Sequence, residues 1–276
     1  MSLQNFIPTI WSARLYDTLK QAHVLPNVVN RDYEGDITSH GDSVKINSIG
    51  SINVGDYGKN STIQLQQLNS AQTILEIDQA KYFNFMVDDI DKAQNKPKVM
   101  DAAMREAGYA LANTADSHLA GFQSDAGNTV TDINIQSSPE NTYNVLAAAA
   151  LALDEANVPR EGRWAVVPPF FNRGMVLGGV MEIESGTIDS QFEKVNGFVT
   201  RLLGFDILVS NNLEVVGNDT IGLAGTRRAI SYAEQILDME AFRPHDRFAD
   251  AVKGLHVYGG KVVDPNALVR LVLRDA

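Results

Sequence analysis

The sequence predicts an α+β fold with one long helix, two shorter helices, and strands on both sides of them. Three observations carry that expectation. Met100, Ala103, Met104, Ala107, Ala110, Leu111, Ala115, Leu119 and Phe122 recur at the i, i+3, i+4, i+7 spacing of one helix face. β-Branched residues interleaved with turn chemistry fill the stretch from Gly35 to about Asp78, and again the stretch from Ala229 to the C-terminus. No internal repeat relates these regions.

The first ~30 residues form a mixed arm. Ile10, Trp11, Leu15 and Leu19 fall near helical spacing, and Pro26 breaks the pattern ahead of Val28-Val29-Asn30-Arg31-Asp32-Tyr33. From residue 35 to 78, Val44, Ile46, Ile52 and Val54 predict an outgoing strand, and Ile63, Leu65, Ile74, Leu75 and Ile77 predict its return. Gly55-Asp56-Tyr57-Gly58-Lys59-Asn60-Ser61 between them is turn chemistry. Its apolar content is too thin for a core of its own, and an isolated hairpin is marginal in water. A neighbouring copy of the chain is one surface on which it could lie.

The long helix is expected from about Pro97, which suits a first turn, to Gln123, roughly 40 Å at 1.5 Å per residue. Its mostly Ala and Met face allows close approach, and packing on a β-layer of the same chain is favoured over a partner surface. A second helix is expected from Ser137-Ser138-Pro139-Glu140, where Ser137 and Glu140 have capping-box spacing, and it ends before Pro159. Trp164-Ala165-Val166-Val167 reads as a buried strand, and Pro168-Pro169 opens a third helix. A Gly/Ser-rich loop covers Gly178 to Ser190, and Phe198 to Ser210 reads as strands bent at Gly204.

Composition removes whole classes of function. The 276 residues contain no cysteine, which excludes disulfides, thiolate metal sites and a catalytic thiol. The 23 basic residues are dispersed among 34 acidic ones, for a net charge of −11, so sequence-specific nucleic-acid binding is not expected. No apolar run approaches the ~18–20 residues of a membrane span, and Met1 to Asp17 lacks the regions of a signal peptide.

Candidate chemistry is sparse. Asp88, Asp89 and Asp91 could offer oxygen ligands, but the calcium-loop pattern is missing and such residues favour helix starts. His23, His40, His118, His245 and His256 show no metal-ligand spacing and read as structural. Glu182 and Glu184 lie in the Gly/Ser-rich loop and read as a solvated edge, not a glycosidase pair. Gly259-Gly260 reads as a hairpin turn rather than a phosphate loop. No nucleophile elbow or phosphate-binding motif is present. No catalytic residue, cofactor or metal is therefore expected.

Several segments, taken in order, resemble the major capsid proteins of tailed bacteriophages. Phe6-Ile7-Pro8 with Trp11-Ser12-Ala13, Val29 to Gly35, and Gly41-Asp42-Ser43-Val44 resemble that family's N-terminal arm and following loop. Ile77 to Phe83 and Val87 to Gln94 continue the likeness. Asn157 to Pro169 and Gly204 to Leu213 resemble its axial part, and Phe248 to Gly259 its closing strands. Together they span nearly the whole chain.

The resemblance implies a phage major-capsid fold in four parts: an arm (1–34), an extended β-hairpin loop (35–78), a peripheral domain with its spine helix (79–124 and 228–276), and an axial α/β domain (125–227). It implies a non-enzymatic subunit that self-assembles as pentamers and hexamers into an icosahedral shell around double-stranded DNA, built in the host cytoplasm. Trp11, Arg31, Tyr33, Tyr57, Lys59, Ile63 and Leu65 become candidate subunit contacts. Family-like sequence begins by Phe6, which implies a separate scaffolding protein, alongside a portal and decoration proteins. One branch of the family crosslinks a Lys to an Asn. Lys59 stands in a comparable place, but without a matching motif that chemistry is not carried over. An encapsulin-like nanocompartment shell shares the fold, and a soluble α+β enzyme or binding module is the alternative of a different class.

Overall fold

The computed structural model describes residues 15, 18–19, 22–33, 41–49, 70–88, 99–135, 140–177, 197–246 and 248–275. Its strands form a two-stranded, a three-stranded and a seven-stranded sheet. β1 (Ser43–Ile49) and β2 (Ser70–Glu76) pair antiparallel, from Ser43 opposite Glu76 to Ile49 opposite Ser70. This is the root of the expected hairpin; the parts assigned to Ile52, Val54, Ile63 and Leu65 lie outside the described residues. β3 (Gln79–Asp88) pairs with β11 (Ala249–Val262), which pairs with β10 (Ile230–Phe242).

The three-stranded sheet is packed on both faces. On one side Tyr232, Glu234, His256 and Tyr258 share the face that receives helix α1 (Val99–Ala120) and residues 22–33. Further along that face Val252, Phe83, Phe85, Ile236 and Met239 meet Met104, Leu111 and Ala112 of α1, together with Leu15 and Leu19 of the arm. On the other side Ala233 and Val257 bury Ile46, Leu75 and Ile77 of the hairpin root.

The second sheet runs β4 (Asn128–Asn134), β12 (Leu268–Arg274), β9 (Asp219–Thr226), β5 (Arg163–Val167), β7 (Phe205–Val209), β6 (Phe198–Leu202), with β8 (Glu214–Val216) on the free half of β9. β5 is buried at every residue, as its unbroken apolar run requires of a central strand. Leu203 (φ 52°) and Gly204 (φ 81°) make the two-residue turn between β6 and β7. Helices α2 (Asn141–Glu155) and α3 (Pro169–Leu177) contribute Val145, Leu146, Leu153, Phe171 and Met175 to its core. Arg163 locks α2 to β5: its guanidinium donates to Asp154 at 2.7 Å and to the carbonyls of Val158 and Pro159 at 2.6 and 3.0 Å.

Four expectations need correction. The long helix gives way at Gly121 to a 3-10 turn through Asp125, short of the expected α-helical end at Gln123. Ala110 is exposed and Gly108 is buried instead, because the arm crosses α1 there: a Cβ on Gly108 would sit 3.2 Å from Thr18. Residue 108 rather than 110 continues the stripe of 104, 111, 112, 115 and 119. The second helix begins at Asn141 with Glu140 as its N-cap and no side-chain cap, so Glu140 is not the third residue of a capping box; Ser137 lies outside the described residues.

The fourth correction concerns Gly259-Gly260, which lies inside β11 and is not a turn. Consecutive residues face opposite sides of a strand. A Cβ on Gly259 would lie 2.1 Å from the carbonyl oxygen of Glu76, where the β2–β3 corner crosses. A Cβ on Gly260 would lie 2.7 Å from Phe122, in the 3-10 turn that follows α1. The pair lets two layers close onto one strand. Gly259→Ala is expected to destabilise the subunit by about 3 kcal/mol or prevent folding, since backbone atoms must move to admit the methyl group. Gly121→Ala, whose Cβ meets nothing within 4 Å, is the neutral control in thermal melts.

Candidate assembly surface and its buried anchor

Of the seven residues expected at subunit contacts, Arg31 and Tyr33 are described; Trp11, Tyr57, Lys59, Ile63 and Leu65 lie outside the described residues. Both described residues engage their own chain. Tyr33 packs against the cluster of Ile46, Leu75, Ile77, Ala233 and Val257. Arg31 donates to Glu234 Oε1 at 2.5 Å, lies over the ring of Tyr232, and leaves 19% of its side chain exposed.

Glu234 is the centre of a buried polar cluster that sequence reading missed. Its carboxylate is fully buried. Tyr232 donates to Oε2 at 2.9 Å, and Nε2 of His256 stands 3.2 Å from the same oxygen. Nε2 of His23 also lies 3.2 Å away, off hydrogen-bond alignment. Burial pushes the Glu234 carboxyl up, but contacts with His23, His256 and Arg31 outweigh it and hold the group well below the usual carboxylate range. Burial, reinforced by the neighbouring Glu234 charge, holds the Tyr232 hydroxyl protonated well above its ordinary range. His23 and His256 share this one carboxylate as partner. Residues 23, 31, 234 and 256 are brought together only by tertiary packing, so spacing could not reveal them.

The same segment is held from the other side by Asp116 on α1. The helical turn Leu25–Val28 starts with N–H groups that have no partner of their own. Asp116 accepts from Val24 N at 3.2 Å and Leu25 N at 3.1 Å, and from Asn212 Nδ2 at 3.3 Å. Burial raises this carboxyl from 3.8 to about 6, against the opposing effects of His23 and the three hydrogen bonds. A parallel bridge completes the attachment: Asn30 N donates to the carbonyl of Ile230, and Tyr232 N to that of Asn30. Val24, Leu25, Val28 and Val29 then enter the main core beside Trp164 and Leu268.

Exposed apolar side chains mark two regions. One lies along the outer face of the three-stranded sheet beyond the hairpin root, where Tyr82 is 79% and Met86 49% exposed. Tyr82, Asn84, Glu240, Lys253, Gly254 and Leu255 line a shallow hollow of about 320 Å³ there. The other belongs to the seven-stranded sheet and its helices, with Val215 and Val216 on β8, Tyr143 and Leu151 on α2, and Leu177 ending α3. Patches of this kind on a folded chain mark contacts with other proteins. Among the described residues, no three histidine or acidic side chains are grouped to hold a metal.

Residues 22–33 are anchored to the body, the hairpin root is seated on the sheet, and two regions bear exposed apolar side chains. The chain belongs to the phage capsid protein family, whose sequence profile matches residues 71–271. A solved structure from Mycobacterium phage Che8 is similar at 30% identity, with 90% of each chain covered and a TM-score of 0.70. The capsid structure of Cyanophage P-SCSP1u is similar at 18% identity over 94% of this chain and 88% of that one, with a TM-score of 0.69. A virus-like particle from Pyrococcus furiosus shares the fold at 14% identity over 95% and 97% of the two chains, with a TM-score of 0.61. No curated protein matches the chain. The protein is thus a major capsid protein, a structural subunit of a virion shell assembled from many copies of itself.

Asp116 has a pH signature. Its carboxyl titrates near 6 in the fold and near 3.8 when unfolded, so its contribution is fully present below about pH 4 and is lost as pH rises through 6. Asp116→Asn, which keeps an acceptor for Val24 and Leu25, is expected to be more stable than wild type by about 1–3 kcal/mol near neutral pH. That gain should vanish near pH 4 in urea titrations of the dissociated subunit. Asp116→Ala leaves two buried N–H groups unpaired and is expected to cost about 2 kcal/mol or more at either pH.

Proposed function

We propose that the subunit closes into pentamers and hexamers of an icosahedral shell that encloses double-stranded DNA without reading its sequence. Residues 1–34 serve as the arm and 35–78 as an extended loop laid over a neighbour. Residues 79–124 with 228–276 form the peripheral domain, and 125–227 the axial domain that meets its copies around five- and six-fold centres. Arg31 and Tyr33 then set the base from which Trp11, Tyr57, Lys59, Ile63 and Leu65 reach adjacent subunits. Assembly takes place in the host cytoplasm on a separate scaffolding protein, with a portal and decoration proteins as further partners.

The observation that carries this reading is the hairpin. It is paired to Ile49 and Ser70 and seated by Ile46, Leu75 and Ile77, and the sheet face on which it sits continues as an uncovered surface bearing Tyr82 and Met86. A loop and a bare face of the same sheet suit repeated head-to-tail contacts, which close into rings. The net charge of −11 suits an enclosing wall, since a DNA-gripping surface would be basic.

Deleting residues 50–66 is expected to leave a subunit with wild-type circular dichroism that forms no shells in negative-stain microscopy. Normal shells from the deletion would refute the role given to the loop. Particles from infected cells should protect double-stranded DNA from nuclease. Nucleic-acid-free particles loaded with protein cargo would instead favour a nanocompartment.

A further inference from the structure

The buried cluster around Glu234 is more elaborate than anchoring demands. An apolar contact would hold residues 22–33 as well, and burying ions costs more than burying carbon unless they are paired. The charges are unevenly distributed between the two sides of the contact. His23 and Arg31 belong to the segment; Tyr232, Glu234 and His256 belong to the sheet.

With both imidazoles neutral, Arg31 and Glu234 balance. Nε2–H of His256 suits donation to the carboxylate, which leaves Nδ1 as the site for a further proton. Nδ1 of His23 and of His256 is buried with no hydrogen-bond partner among the described residues. A proton added at either place gains no acceptor and puts a second positive charge beside Arg31. Two such protons leave three cations around Glu234, at imidazole and carboxylate groups with no solvent exposure. Asp116 faces His23 from α1 and attracts a charge there while ionised, but its carboxyl, raised to about 6, takes up its own proton over the same acid range. Tyr258 lies tilted against His256, and His118 meets Tyr258 edge-on, with Asp78 and Lys81 beyond them. Asp32, Arg227 and Arg228 surround a hollow of about 320 Å³ that opens beside Arg31 and brings solvent within one side chain of Glu234.

We propose that His23, Arg31, Glu234 and His256 form an acid-operated latch that holds residues 22–33 when the histidines are neutral and releases them when both are protonated. Detaching the segment removes two of the three cations from the sheet in one movement and hydrates all of them. The ionised state of Glu234 leaves the histidines as the trigger, because its carboxyl is held well below the usual carboxylate range. The latch is a property of the subunit and does not depend on what the shell encloses.

Hydrogen exchange of the full-length protein, read by mass spectrometry and corrected for intrinsic rates, tests it. Between about pH 7.5 and about pH 5, peptides covering residues 22–33 should lose roughly 10-fold or more of their protection while β5 and β12 keep theirs. In the His23→Gln/His256→Gln variant, where the amide retains a donor but cannot take up a proton, the loss should fall below about 3-fold. Equal loss in variant and wild type, or none in wild type, overturns the latch. Should the double variant fail to fold, imidazole NMR signals of the wild-type dissociated subunit decide: two rings that do not titrate in this range overturn it, and titration together with loss of segment protection supports it.

Discussion

Two buried carboxylates fix the N-terminal segment to the body of the subunit, and much of the architecture is arranged around them. Asp116 projects from α1 and Glu234 from β10, and residues 22–33 pass between. Both acids are buried, yet their proton affinities shift in opposite directions. Asp116 is satisfied chiefly by backbone and amide N–H groups, so desolvation wins and its carboxyl rises to about 6. Glu234 is met by the imidazoles of His23 and His256 and by the charge of Arg31, so attraction wins and it stays ionised. Removing the segment would leave both without their main partners. The contact therefore works as a unit, and the apolar side chains of Val24, Leu25, Val28 and Val29 are positioned by it.

That arrangement requires a thin central layer. β11 has α1 and the segment on one face and the hairpin root on the other, so its residues alternate between two close neighbours. Gly259 and Gly260 take up the two closest approaches, and Gly108 does the same on α1 where the arm crosses. Dense packing of this kind transmits displacement, since interiors rearrange between discrete states and do not deform smoothly. A shift of the segment is felt at α1 through Asp116 and at the sheet through Asn30 and Glu234.

The fold was legible where local pattern decides it. The 3.6-residue rhythm from Met100 to Phe122 marked α1, the unbroken apolar run marked β5, and turn chemistry flanked by β-branched residues marked the hairpin root. The failures share a cause, which is dependence on residues distant in sequence. Ala110 has an apolar side chain that needs no burial, whereas Gly108 is buried because Thr18 lies against it. Gly259-Gly260 is spelled like a turn, but pairing with Ala233 and Tyr232 of β10 makes it strand, and the crossing chain at Glu76 requires the first to be small. The anchor was partly visible. Asp116 lies four residues after Ala112 and three before Leu119, inside the apolar stripe, and an acid there signals a buried partner. Glu234 gave no such sign, because its partners come from residues 23, 31, 232 and 256.

Charge and exposure divide the labour of assembly. Side chains such as Tyr82, Phe248 and Leu177 are 79%, 80% and 69% exposed, which on a neutral protein would invite indiscriminate association. The net charge of −11 opposes that by keeping free subunits apart until shape-matched faces meet. The polar anchor has a different task. Hydrophobic contacts hold with nearly the same strength whatever the proton concentration, whereas a contact made of Arg, Glu and two histidines has a strength that depends on its charge state. The cluster of Arg31, Glu234, His23 and His256 lies between the segment and the body, so its charge dependence bears on how the arm is held.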